Sequence, residues 1–150
     1  MTITTDQIKK LRMETKAGVM DVRKALEESK GDMAKAKQWL AKKGLDKAAK
    51  KADRETGDGR IATYVHAGAR IGAMVKLACE TDFVSATDEF EVLGKEIAMQ
   101  VASMDPKDVK ELLAQTYIRD SKKTIDDLVK EAIAKLGENI QIIEFVRMAI

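Results

Sequence analysis

Few residues in this chain could make or break a covalent bond. Cys79 is the only cysteine and His66 the only histidine. An internal disulfide and a multi-cysteine metal site are therefore excluded, and a lone histidine builds neither a catalytic dyad nor a metal site by itself. No G-x-x-x-x-G-K-[ST] run is present, and no G-x-G-x-x-G follows a strand pattern, which removes the usual phosphate cradles. No serine has a plausible base partner, and no carboxylate pair stands out from the general charge. The expectation is a binding protein, not an enzyme, with no catalytic residue, no metal and no cofactor. Recognition chemistry concentrates in Cys79-Glu80-Thr81-Asp82-Phe83-Val84, where an acid and an aromatic ring stand side by side.

Two elements must position that stretch. Arg70 to Cys79 alternates as a strand does, with Ile71, Ala73, Val75, Leu77 and Cys79 on one face. From Thr87 the pattern becomes helical, with Phe90, Leu93, Ile97, Ala98, Val101 and Ala102 at spacings of three and four. Asp82-Phe83 thus falls on a short strand-to-helix connection, the kind of segment on which binding residues gather. Two readings stand on pattern alone. Phe83 folds back into the core while Asp82 caps the helix, or both are presented outward to a partner. Cys79, on the apolar face of its strand, reads as a packed thiol and not a nucleophile.

Composition sets the outer bounds. At 150 residues, 45% hydrophobic and 35% charged, the chain suits one domain or two small ones; with aromatics at 4%, any core is mainly aliphatic. No run approaches the roughly 20 apolar residues of a membrane span, and Met1 to Lys10 is too polar for a signal peptide. A cytoplasmic protein with no membrane partner is expected. Charge is uneven: residues 1–55 carry 15 Lys/Arg against 9 Asp/Glu, and residues 56–150 carry 12 against 16. A basic N-terminal unit could meet an acidic partner surface.

Thr4 with Gln7 makes a capping box and Ile3 with Ile8 a hydrophobic staple, so a helix begins near Thr5 and ends at Ala17-Gly18. A second carries Val22, Ala25 and Leu26 and stops at Gly31. A third, capped by Asp32, turns Met33, Ala36, Trp39 and Leu40 inward and stops at Gly44, with Trp39 as the bundle's centre. Lys47 to Arg54 reads as a lysine-rich helical linker, bounded by Gly57-Asp58-Gly59. Arg60 to Val65 and Arg70 to Cys79 form a hairpin around Ala67-Gly68-Ala69. Beyond the long helix, Asp105-Pro106 opens another, and Thr124 with Asp127 opens a last one closed by Gly137. From Asn139 the chain alternates again, with Ile140, Ile142, Val146, Met148 and Ile150 in phase. These elements make an α+β fold: a three-helix bundle over 1–45, a helical linker over 46–59, and a three-stranded antiparallel sheet packed with helices over 60–150.

The stretch ETDFV after a hydrophobic strand, together with LRMETKAGVMDVRKALEESKGD near the start, resembles the bacterial translation elongation factor Ts family. The likeness runs to about Val101 and resumes at AIAKLGENI. It implies a guanine-nucleotide exchange factor for the GTPase elongation factor Tu, and an N-terminal bundle of the ubiquitin-associated fold. By the same resemblance Phe83 wedges between helices of the partner, Asp82 engages polar groups there, and Thr81 and Val84 hold the loop's shape, so that Mg²⁺ is displaced. Lys16, Ala17, Gly18, Val19 and Met20 would form a docking turn. Lys16 stands where the family usually has glycine, and lysine suits that place only if the backbone does not need a positive φ. Many members carry a second core copy and a coiled-coil insertion. This chain reads as a compact single-core form, of the kind that can act as a homodimer through the sheet. Two other readings compete: an adaptor working through its N-terminal bundle alone, and a small nucleic-acid binder using its basic half. No aromatics are interleaved with the lysines to stack bases, so no nucleic-acid partner is expected.

Overall fold

Two compact units make up the chain, residues 1–47 and residues 48–150. A computed structural model describes residues 2–150. In the first unit, α1 (Thr5–Thr15) starts at a complete capping box between Thr4 and Gln7, as the sequence requires. Helix α2 (Val19–Glu28) closes over Lys30 and Gly31, whose N–H reaches back to the Leu26 carbonyl at 2.8 Å. Helix α3 runs from Met33 to Ala49, straight through Gly44. The expected stop at Gly44 is therefore wrong: a glycine inside a helix costs only about 1 kcal/mol, and packing outweighs that. Leu11, Val22, Ala25, Leu26 and Ala36 form the fully buried centre. Trp39 is only partly buried against it, with the Lys43 ammonium 5.0 Å from its ring centroid, so it flanks the core.

The second unit is built on strands β1 (Asp58–Val65), β2 (Ile71–Cys79) and β3 (Gln141–Ala149), antiparallel in the order β1-β2-β3. Helix is absent from 50–57, where the chain makes turns and then extends, so the expected helical linker ends at Ala49. Opposite Ala73, Val75 and Leu77 of β2 lie Tyr64, Ala62 and Arg60 of β1. Helices α5 (Asp88–Met104) and α7 (Ile125–Leu136) contribute Phe90, Ile97, Val101, Ile125 and Val129 to the core on this face. Gly94 lets α5 approach β1 closely: a Cβ there would stand 2.6 Å from the Ala62 Cβ.

The last strand does not alternate in one phase. Lys76 pairs with Glu144 but Leu77 with Ile142, leaving Ile143 as the extra residue of a bulge. Ile140 and Ile142 are buried, whereas beyond the bulge Phe145 and Arg147 take the core side. Val146, Met148 and Ile150 are consequently exposed instead of continuing the buried set. The helix expected from Asp105-Pro106 begins later, as α6 (Val109–Ala114), because Asp108 makes the cap hydrogen bond to Glu111 N. Asp105 ends α5 in a left-handed conformation. Thr124 and Asp127 form the expected capping box on α7, and Gly137 closes it at φ 79°.

Candidate functional site

Strand β2 is the rigid support of the candidate site, since it is the central strand and Val75, Leu77 and Cys79 are buried along it. At its end the chain leaves the sheet and makes a single helical turn, α4 (Asp82–Ser85), with Thr81 at its cap position. Phe83 is 83% exposed. The core reading of Phe83 is overturned by this, and so is capping by Asp82: helix α5 is capped by Thr87, whose hydroxyl accepts from Phe90 N at 3.2 Å. Asp82 lies exposed beside Phe83. Val84, by contrast, is buried in the core, and the Ser85 hydroxyl donates to Asp58 Oδ1 at 2.8 Å. The turn is thus anchored through Val84 and Ser85 while its acid and ring project outward.

A second anchor comes from far along the chain. Glu138, directly after the glycine that closes α7, accepts on Oε2 from the N–H groups of Glu80 and Thr81, both at 3.0 Å. Its Oε1 accepts from the Thr81 hydroxyl at 2.5 Å. In return Glu80 Oε1 accepts from Asn139 N at 2.7 Å and lies 3.5 Å from the Arg54 guanidinium. Asn139 is buried, and its amide donates to the Arg54 carbonyl at 2.8 Å and the Ala52 carbonyl at 3.3 Å. Glu138 was not among the residues that the sequence pointed to. Its partner lies 57 positions away, too far for any local sequence pattern to link the two.

The Cys79 thiol is fully buried and donates to the Thr81 carbonyl at 3.2 Å. Burial pushes its pKa up, and the charges of Glu138 and Asp58 add to the effect. A thiol held protonated in this way is a packing group. His66 is exposed, with Nδ1 2.9 Å from the Tyr64 hydroxyl. Among the described residues no cluster of His, Cys, Asp and Glu could hold a metal ion, and no helix is long and apolar enough to cross a membrane.

In the N-terminal unit the second group of singled-out residues forms one turn between α1 and α2. Lys16 ends α1 at φ 56°, its N–H donating to the Arg12 carbonyl at 2.8 Å. The condition that its backbone should avoid positive φ is not met: lysine occupies the left-handed cap that glycine takes without strain. Ala17 packs partly against the bundle core, and Gly18 sits at the cap position of α2 with φ −62°. Val19 and Met20 are 44% and 72% exposed. Next to them Asp21 takes Lys43 at 2.6 Å and Lys47 at 2.5 Å, tying the start of α2 to α3. Hydrogen bonds from these two lysines hold its carboxyl below the usual range.

Comparison with known proteins supplies the family. The model of the family described as "Elongation factor TS" matches residues 80–150, which includes both the exposed turn and its Glu138 anchor. Elongation factor Ts of Leptospira biflexa is 41% identical over 195 aligned positions, covering 100% of this chain and 98% of that protein. The Thermosipho melanesiensis protein of the same name is 40% identical over 193 positions, covering 99% of this chain and 98% of its own length. That of a Nostoc species is 43% identical over 148 residues, which are 99% of this chain but only 47% of the relative. With such identity sustained from end to end against relatives covered almost completely, this chain belongs to the elongation factor Ts family of translation elongation factors.

Proposed function

We propose that the protein is a guanine-nucleotide exchange factor for elongation factor Tu, acting by binding and without a covalent step. The observation that carries the reading is Phe83: a large apolar ring displayed to solvent on a turn anchored by Val84, Ser85 and Thr81. A ring exposed on a fixed support is suited to enter another protein's helical packing.

GTPases hold their nucleotide through phosphate contacts and a Mg²⁺ ion that bridges phosphate and protein oxygens. An exchange factor need not touch the nucleotide. It must bind more tightly to the GTPase in which that shell is disturbed. Phe83 supplies the wedge, Asp82 the polar contact beside it, and Thr81 and Val84 the support. Burying a phenylalanine is worth roughly 1.5–3 kcal/mol, and each 1.4 kcal/mol is about tenfold in affinity. The wedge therefore accounts for about one to two decades of nucleotide destabilisation. The turn Lys16 to Met20, in a ubiquitin-associated-like unit, docks on the nucleotide-binding domain through Val19 and Met20.

The test is release of a fluorescent GDP analogue from the cognate Tu-type GTPase. Native protein should accelerate release strongly, and Phe83→Ala should lose at least about 10-fold of that acceleration with its circular dichroism unchanged. No acceleration by a correctly folded native chain would remove the exchange reading.

A second reading concerns assembly. The face of the sheet away from α5 carries Ile61, Val65, Met74, Val146 and Met148, all exposed, with Ile150 at its end. Val65, Met74, Val146 and Met148 adjoin across the three strands, beside the Lys76–Glu144 pair, and a cluster of exposed apolar side chains marks an interaction site. We propose that two copies pair through this face.

A further inference from the structure

We infer that Glu138 is the positioning residue of the exchange site, holding the α4 turn so that Phe83 is presented already ordered. The inference rests on the exchange reading above. Its basis is how few side-chain bonds fix the entry of α4: besides those to Glu138, the Cys79 thiol donates to the Thr81 carbonyl at 3.2 Å. The helix has four residues, too few for a helix to support itself. Its far end is fixed by Val84 and Ser85, but its entry depends on residues 80 and 81, where the chain turns out of β2. One carboxylate there takes two successive backbone N–H groups and the Thr81 hydroxyl. Charge-assisted bonds of this kind are the strong ones.

The arrangement is reciprocal, which makes it stiff. Glu138 binds the backbone of 80 and 81, while Glu80 binds the backbone of 139. Neither carboxylate can swing away without releasing the other's segment. Asn139 fixes the same connection to the carbonyls of Ala52 and Arg54. Glu138 is not itself the group that meets the partner: its oxygens are occupied by the turn's own donors. It acts through Phe83.

Removal of the carboxylate leaves the ring in place but lowers the fraction of molecules that present it correctly. Apparent affinity falls by that fraction, while the complex once formed is unchanged. The signature is therefore a shift in half-saturating concentration, not in the rate at saturation. In the GDP-release assay, Glu138→Ala should raise the half-saturating concentration about tenfold, with the saturating rate within about twofold of native. Glu138→Gln, which keeps one acceptor oxygen, should raise it by about threefold. Either substitution placed on Phe83→Ala should add almost nothing, since groups acting through one another are non-additive.

Three outcomes overturn the inference. They are an unchanged half-saturating concentration in Glu138→Ala, a loss confined to the saturating rate, and a full additional loss in the Phe83→Ala background. If Glu138→Ala does not fold, the same three outcomes in Glu138→Gln overturn it. Failure of the native protein to accelerate release would instead condemn the exchange reading. Acceleration lost in Phe83→Ala but untouched in both Glu138 variants would condemn only the positioning role.

Discussion

Lys16 shows how a single backbone angle can set aside a side-chain preference. Its φ of 56° closes α1 through the bond to the Arg12 carbonyl, so the turn toward Val19 and Met20 needs this geometry. For an L-residue the left-handed region costs about 1–2 kcal/mol, partly offset in glycine by the greater freedom of its unfolded chain. Lys16→Gly should therefore stabilise the N-terminal unit by about 0.5–1 kcal/mol. Trp39, the only tryptophan, lies in this unit, so urea unfolding followed by its fluorescence is a direct measure. A destabilised Lys16→Gly would mean that the lysine side chain contributes more than its backbone strain costs. What the sequence disclosed at this scale was local. The Thr124–Asp127 box was legible because its donors and acceptors sit three residues apart. Glu138 was not, because its meaning depends on a strand 57 residues away, and nothing in its neighbours distinguishes it from any exposed carboxylate.

Between elements, the decisive quantity is distance. Helix α5 lies against β1 at Gly94, where a methyl group would meet the Ala62 methyl at 2.6 Å. Neither group has a rotatable bond by which to yield, so the helix itself must move. Gly94→Ala should lower stability by about 1–3 kcal/mol, the usual range for overpacking, despite the better helix propensity of alanine. Adding Ala62→Gly should recover part of the loss, and urea titrations of the single and double variants measure both effects. A Gly94→Ala variant as stable as native would show that α5 lifts from β1 freely. The same dependence on neighbours explains which elements were legible. The alternation of β2 was readable because a central strand keeps one phase. That of β3 misled after Ile142, because a bulge is a property of the pair: two residues of β3 face one of β2, and only the partner's register reveals it. The consequence is large, since it turns Val146 and Met148 from core residues into surface residues.

At the scale of the whole chain, the alignments to the Leptospira and Thermosipho relatives run over 195 and 193 positions, against this protein's 150 residues. The chain links α5 to α7 in 20 residues, 105–124, with only the six-residue α6 between. Buried Gln100 secures the short link: its amide donates to the Thr116 carbonyl at 3.0 Å, and its oxygen accepts from Ile118 N at 3.0 Å. The sheet of the second unit has one face covered by helices and the other bearing Ile61, Val65, Met74, Val146 and Met148. Association through that face would bury residues that are costly to expose, and stable pairs commonly bury about 800 Å² on each partner. Met74 lies on the central strand, opposite Thr63 and Val146, so a charge there would be buried at the middle of the interface without touching the core face. Met74→Glu should shift sedimentation from dimer to monomer at micromolar concentration while leaving the far-ultraviolet spectrum unchanged, because burying a carboxylate in an apolar interface is strongly disfavoured. His66→Glu, beyond the strand end, should leave the dimer intact. A native chain that sediments as a monomer at these concentrations would remove the dimer reading.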